Sequence, residues 1–208
     1  MSLAPPLARP DLPATARIAL RPLAEAMDQL LHLPALHGLP PFDGGTAADA
    51  AAGLAAVADG AGDDIAAYAL VDTGGAVCGW TSLVAIDRRH RHAALGPAWH
   101  IGEGGDVRLG CHAVHLLLRL AFETLGLVRV EALVAPRDRE AHRLLDRLGF
   151  VREGIRRAGR WTADGRLHDV APWSVVATQW PATARIQAAF LDEQDSPWQG
   201  RLPSIMPP

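Results

Sequence analysis

The residues best suited to acid–base chemistry lie at or near the ends of two predicted strands, one ending near residue 101 and the other near residue 134. They are His100, Glu103, His112 and Glu131. An imidazole titrates near neutral pH, so His100 could accept a proton as a general base beside the two carboxylates. The structural alternatives are a histidine held in place by hydrogen bonds, a solvated Glu103 on a glycine-rich loop, and a Glu131 that only pairs across a sheet.

The stretch 96–115 has the pattern of an anion site. A strand is predicted to end at about Ile101, Gly102-Glu103-Gly104-Gly105 follow, and a helix is predicted to start near Gly110. The first backbone N–H groups of a helix have no intrahelical partner, and the helix dipole also favours negative charge there. A pyrophosphate is the natural guest, although many strand-loop-helix units bind nothing.

Two other features have chemical interpretations that the residues do not favour. Cys111 lies at the predicted helix start, where a thiol pKa is lowered, with His112 next to it. Adjacent residues on a helix point apart, so a small buried residue is the favoured interpretation. The run 88–92 alternates Arg and His, but no Cys, Asp or Glu set completes a metal shell. A charged connection between strands is predicted, and no metal site.

Composition limits the class of protein. The 208 residues suit one domain, and a net charge of −3 gives no electrostatic case for nucleic acid or an anionic membrane. The chain contains no lysine and no asparagine, which indicates a GC-rich bacterial genome. Two cysteines, no signal-peptide pattern and no long apolar run predict a cytoplasmic protein without a membrane span.

Hydrophobic periodicity predicts the elements that position these residues. Apolar residues repeat at three-four spacing from Gly110 to Leu125, with Gly126 as the stop. Asp138 is the predicted N-cap of the next helix, and Asp164-Gly165 predicts a hairpin. The full prediction is a flexible arm over 1–14, strands over 17–23, 65–71, 76–86, 93–101, 128–134, 150–161 and 166–178, helices over 23–32, 46–58, 110–125 and 138–148, a loop over 33–45, and an extended tail over 182–208.

The order of these elements resembles that of the GNAT N-acyltransferases, especially the branch typified by ribosomal-protein alanine acetyltransferases. The resemblance covers roughly 17–180. It rests most specifically on Leu116–Gly126, Arg147–Gly154 with its Leu148-Gly149-Phe150, Asp164-Gly165, Trp173-Ser174-Val175 and Trp180-Pro181. It implies an α+β fold for residues 15–181: a central, mostly antiparallel twisted sheet with splayed strands, flanked by helices.

The same resemblance implies an acyl-CoA-dependent N-acyltransferase. The expected co-substrate is acetyl-CoA, without a metal, and the expected acceptor is a primary amine of a small molecule or protein N-terminus. It implies no nucleic acid or membrane partner and leaves a homodimer open. The expected catalytic residues are His100, Glu103 and Glu131. The expected cofactor-binding residues are Trp99, Ile101, Val107, Arg108, Leu109, Gly110, Cys111, His112, Asp138 and His142.

The chain departs from the family pattern at two places. The pyrophosphate loop of the family starts with Gln or Arg and has glycines at its fourth and usually sixth positions. The matching segment is 105–110, where Arg108 replaces the first of these glycines. Arg108 either contacts phosphate or fills the space that a phosphate needs. The Asn and the later polar residue of the family are Asp138 and Ala141 here. A second hypothesis is therefore a GNAT-fold binding or scaffold protein that has lost catalysis.

Overall fold

Nine strands and four α-helices form the part of the chain that the structure, a computed structural model, describes: residues 12–31, 64–96, 99–100, 107–161 and 165–192. The strands are β1 (Ile18–Pro22), β2 (Ala66–Asp72), β3 (Val77–Asp87), β4 (His92–Leu95), β5 (Trp99–His100), β6 (Arg129–Val134), β7 (Val151–Arg152), β8 (Arg156–Trp161) and β9 (Leu167–Val176). The helices are α1 (Met27–Leu31), which follows a 3₁₀ turn over Leu23–Ala26, then α2 (Val107–Arg119), which continues as a π-helical turn over Leu120–Thr124, α3 (Arg139–Arg147) and α4 (Trp180–Asp192). None of the helices in these ranges is both long and apolar enough to cross a membrane.

The strands form one mixed sheet in the order β1-β2-β3-β4-β6-β9-β7, with β5 paired to β3 and β8 paired to β9. Neighbours run antiparallel except β4 and β6, which are parallel. Their pairing ends at Ala94↔Glu131, whereas β6 continues to Val134 in register with β9. The sheet therefore splays between β4 and β6, and the predicted α+β class with a mostly antiparallel sheet is confirmed.

Helix α2 forms the centre of the core on one face of the sheet. Its predicted stripe is confirmed, because Val114, Leu117, Leu118 and Ala121 are all buried. Gly126 ends the helical segment with φ +63°, and the N–H of Leu127 donates to the carbonyl of Ala121 at 2.8 Å. This is the left-handed C-terminal cap that glycine favours.

Alternation along β6 assigns its residues to the two faces of the sheet. Val130, Ala132 and Val134 belong to the same buried cluster as Leu117 of α2. Successive side chains of a strand point to opposite faces, so Glu131 lies on the face away from α2.

Two predicted boundaries inside the domain are wrong. The helix predicted from Gly110 begins at Val107. Glycine is disfavoured inside helices, and this preference misplaces the boundary. The single strand predicted over 150–161 divides into β7 and β8, since Gly154 takes a φ of +131° and turns the chain between them.

The predictions for the two ends of the chain also need correction. The extended tail is wrong for residues 182–192, which form most of α4. Proline is tolerated in a first helical turn, so Pro181 does not prevent this helix. The loose arm is wrong at its last residues, because the N–H of Leu20 donates to the carbonyl of Pro13 at 3.3 Å and Ala14 bridges to Ala19. The predicted loop over 33–45, the helix over 46–58, and residues 1–11 and 193–208 lie outside the described residues.

The Leu148-Gly149-Phe150 turn joins α3 to α4. Gly149 has a φ of +78°, and a Cβ there would lie 3.1 Å from Cγ2 of Thr183. The side-chain amide of Gln187 donates to the carbonyl of Leu148 at 2.7 Å. Its Oε1 accepts from Nδ1 of His115 on α2 at 2.9 Å, so one buried amide links both helices to the turn.

Acidification from pH 7 to pH 5 is expected to destabilise the protein partly through His115. Burial lowers the pKa of this imidazole below its ordinary value of 6.5, against a smaller opposing effect of the Gln187 hydrogen bond. The unfolded chain therefore takes up this proton at a higher pH than the folded chain, and stability falls as pH drops below about 6.5. Urea unfolding at both pH values should give a smaller difference for His115→Gln than for the wild type. An unchanged difference would assign the pH dependence to other groups.

Candidate active site

The opening between β4 and β6 is the candidate cleft. Its apex is the Ala94↔Glu131 pair, and its walls are the ends of the two parallel strands. Gly96 stands directly after β4, where its N–H donates to the carbonyl of Ser82 at 2.9 Å. A Cβ on Gly96 would collide with Oγ of Ser82, so the packing beside the apex leaves no room for a side chain at this position.

Helix α2 follows β5 in the chain and lies near it. Its first turn supplies the backbone N–H groups of Val107, Arg108, Leu109 and Gly110, which are the ones that an α-helix leaves without intrahelical acceptors. The predicted loop 105–110 is therefore helical over its last four residues. The side chains of Trp99, His100, Val107 and Arg108 lie outside the described part, as do Ile101 and Glu103 altogether.

The next two residues of α2 face the protein interior. Cys111 is 1% exposed and belongs to the core cluster, as the interpretation of a small buried residue predicts. His112 is also buried and lines a cavity of about 320 Å³ between segment 14–17, α2 and α4. The side chains of Cys111 and His112 therefore point away from an anion at the helix start, and only their backbone groups could contact it.

Helix α3 begins on the other side of the cleft. Oδ1 of Asp138 accepts from the N–H of Ala141 at 2.9 Å, so the predicted N-cap is confirmed. Ala141 is fully buried and carries no side-chain proton. Asp138 therefore stabilises its own helix, and the position three residues later offers no acid.

His142 holds the β6–α3 connection against β9. Its Nδ1 accepts from the indole N–H of Trp173 at 2.9 Å. The proton of the neutral ring is consequently on Nε2, which donates to the carbonyl of Pro136 at 3.1 Å. Both ring nitrogens of His142 form hydrogen bonds within the protein. This predicted cofactor-binding residue therefore holds the β6–α3 connection against β9 beside the cleft.

Glu131 belongs to a charged cluster at the apex. Its Oε2 lies 3.2 Å from Nη2 of Arg129, and the same guanidinium makes a bidentate pair with Glu153. Ser174 also donates to Glu153, at 2.8 Å. The bond from Arg129, assisted by Ser174, lowers the pKa of Glu153, and the bond to Glu153 raises the pKa of Arg129. The cluster thus fixes a half-buried carboxylate, Glu131, on the face away from α2.

The two catalytic candidates whose backbone the structure describes, His100 and Glu131, do not lie close together. Glu131 is level with Ala94, which pairs with Val84, whereas His100 pairs with Gly79. Five residues along β3 separate these levels, which is roughly 16 Å at the rise of a strand. One small reacting group cannot contact both backbones, so at most one of the two residues acts on it directly.

Several residues around the apex had no predicted role. Arg129, Glu153 and Ser174 meet only because β6, β7 and β9 pair, and Ser82 meets Gly96 through the pairing of β3 with β4. The alternation of polar and apolar residues along these strands was the one signal in the sequence. It predicts which face of the sheet a side chain lies on, but not which residue it contacts. Among the described residues, no group of three or more His, Cys, Asp and Glu side chains could hold a metal ion.

Comparison with known proteins places this geometry in a family. Residues 13–151 match the family described as Acetyltransferase (GNAT) domain. "Putative ribosomal N-acetyltransferase YdaF" of Bacillus subtilis (strain 168) is 31% identical over 106 residues, which are 51% of this chain and 57% of that protein. The chain therefore matches little more than half the length of this relative.

Solved structures agree with the fold. A "putative acetyltransferase" from T. thermophilus is 27% identical, with a TM-score of 0.69 over 88% of this chain and 98% of that chain. A GCN5-related N-acetyltransferase from Brucella melitensis is 24% identical, with a TM-score of 0.73 over 95% of this chain and 93% of that one. The second likeness supports the fold alone, and together they agree with the predicted architecture.

Proposed function

We propose that this chain, which belongs to the GNAT acetyltransferase family, catalyses acetyl transfer. The proposed donor is acetyl-CoA and the proposed acceptor is a primary amine of a protein N-terminus or a small molecule. The Bacillus relative, named as a ribosomal N-acetyltransferase, supports the protein N-terminus as the first acceptor to try. Neither Cys78 nor Cys111 forms a disulfide, which supports a reducing compartment, and we place the reaction in the cytoplasm.

The described residues fit acetyl-CoA at two places. The β6 edge over 132–134, beyond its pairing with β4, offers backbone groups to the amides of the pantetheine arm. The first turn of α2 offers N–H groups and the positive end of a helix dipole to the pyrophosphate. When bound, acetyl-CoA supplies a thioester whose carbonyl carbon is open to attack by an amine. The splay that starts at Ala94↔Glu131 is the observation that carries this proposal.

Among the candidate bases, Glu131 is the one at the apex. Its carboxylate, held by Arg129, would take the proton of the attacking amine, directly or through one water. His100 remains the second candidate, at the wide end of the cleft. Ala141 offers no side-chain proton, so we assign the final proton delivery to water.

Thermal unfolding with acetyl-CoA and with free CoA tests the proposal. A ligand that binds only the folded chain stabilises it by about 2.7 kcal/mol at a hundredfold excess over Kd. For a chain of this size the melting temperature should rise by roughly 5–10 °C. No rise at millimolar ligand would favour the other hypothesis, a GNAT-fold binding or scaffold protein, which the replacement of the family's polar residue by Ala141 also motivates.

Arg108→Gln is expected to weaken CoA binding by about tenfold, the size of one lost charge-assisted hydrogen bond. Isothermal titration would measure it. Pantetheine, which lacks the pyrophosphate, should bind the variant and the wild type equally, and Arg143→Gln on the exposed face of α3 is the matched control. Tighter binding of CoA to the variant would instead mean that Arg108 fills the phosphate space.

A further inference from the structure

A two-stranded ribbon extends beyond the body of the sheet. Strand β9 pairs with β6 only from Ala171 onward, opposite Val134. The earlier residues Leu167–Val170 pair with β8 and so continue past the carboxyl end of β6. This is the end at which β4 and β6 part, so the ribbon flanks the mouth of the cleft.

Most of the ribbon is exposed on both faces, and only Gly159 and Arg160 of β8 are half-buried. Residues 151–158 and 165–169 are exposed without the alternation that a strand packed on a core shows. Trp161 and Leu167 are a cross-strand pair on one face, and Arg160 and His168 are a pair on the other. Trp161 is 65% exposed, although an indole of this size is normally buried.

The ribbon is also strongly basic. Its described residues, with β7 and the link to β8, include two carboxylates and five arginines: Arg152, Arg156, Arg157, Arg160 and Arg166. Both carboxylates have partners within the protein, since Glu153 binds Arg129 and Ser174, and Asp169 accepts from the N–H of Ala158 at 2.8 Å. The net charge of −3 for the whole chain averages over this local concentration of positive charge.

We propose that single-stranded RNA wraps the outer edge of the β8–β9 ribbon, with Arg156 on the Arg160 face and Arg157 beside it contacting phosphates, and Trp161 stacking on a base on the opposite face. A basic surface that carries an exposed aromatic ring is the combination by which proteins hold single strands without reading sequence. An acidic protein segment is the alternative partner, and it would match the positive charge of the ribbon. It would not explain why the indole of Trp161 is exposed on a basic strand. This binding goes beyond the proposed acetyl transfer and does not depend on it.

Fluorescence anisotropy of a labelled 12-nucleotide oligo(U) with the full chain tests the proposal. At low salt we expect a Kd of roughly 1–100 µM that weakens as salt increases. The double variant Arg156→Gln/Arg157→Gln should lose about tenfold in affinity and about 1.4 in the slope of log K against log salt, or 0.7 for each phosphate contact. Trp161→Ala should lose roughly tenfold with the salt slope unchanged.

The matched control is Arg143→Gln/Arg185→Gln, which removes the same charge from exposed positions of α3 and α4. It should leave RNA affinity within twofold. Absence of RNA binding at 100 µM protein, an equal loss in the control, or oligoglutamate competing as well as oligo(U) would each overturn the proposal. Circular dichroism checks that each variant is folded. RNA affinity is measured without acetyl-CoA, so failure of the transfer reaction and failure of RNA binding are separate outcomes.

Discussion

Glu131→Gln is expected to lower kcat for acetyl transfer by about 10²- to 10⁴-fold, the range contributed by a positioned general base. The amide is close in shape to the carboxylate but cannot accept the proton of the amine. Glu131 lies at the apex of the splay rather than beside the helix that would hold the pyrophosphate. The KM for acetyl-CoA should therefore change little. Steady-state kinetics with a peptide amine as the acceptor measures both quantities.

His100→Ala provides the comparison. Its backbone lies at the wide end of the cleft, roughly 16 Å along the sheet from the level of Glu131. We expect His100→Ala to alter the KM for acetyl-CoA more than kcat. A larger fall of kcat in His100→Ala than in Glu131→Gln would mean that His100, and not Glu131, is the general base. Folding of Glu131→Gln should be retained, since Arg129 keeps its bidentate pair with Glu153.

Gly96→Ala is expected to destabilise the fold by about 1–3 kcal/mol, the usual cost of overpacking. The new methyl group would collide with Oγ of Ser82 and lie 3.0 Å from Cγ1 of Val84, and Ser82 is itself buried. The melting temperature should fall by roughly 3–10 °C. Acetyl-CoA binding should weaken as well, because Gly96 borders the apex of the cleft.

A double-mutant cycle shows whether this clash is the cause. Ser82→Gly removes the atom that the methyl group meets most closely. The double variant should be more stable than the sum of the two single losses predicts, by about 1 kcal/mol. Simple additivity would locate the cost elsewhere, for example in Val84.

The sequence predicts those elements whose information is local. The apolar stripe of α2, the Asp138 cap and the glycine stop at Gly126 each depend on residues within one or two helical turns, and the structure confirms them. Gly110 misplaces the helix start because its local preference opposes a helix whose next turns are buried in the core. Packing overrides a preference of roughly 1 kcal/mol.

The candidate site depends on long-range pairing. Arg129 and Glu153 meet only when β7 joins the far side of β9, and no spacing in the sequence encodes that contact. Helix α4 is similar, because its most informative buried residue is the polar Gln187, whose partners His115 and Leu148 come from α2 and the α3 turn. A polar residue at such a position lowers the apolar signal by which a helix is recognised.

The placement of β6 also has a consequence for biosynthesis. Its neighbour β4 precedes it in the chain, but its other neighbour β9 is translated later, after α3. From the time Val134 is made until Val176 follows, the nascent strand has an unpaired edge, which is the feature that recruits other chains into aggregates. Interrupted translation between these residues should therefore yield insoluble fragments, even though residues 13–151 already contain the whole match to the family.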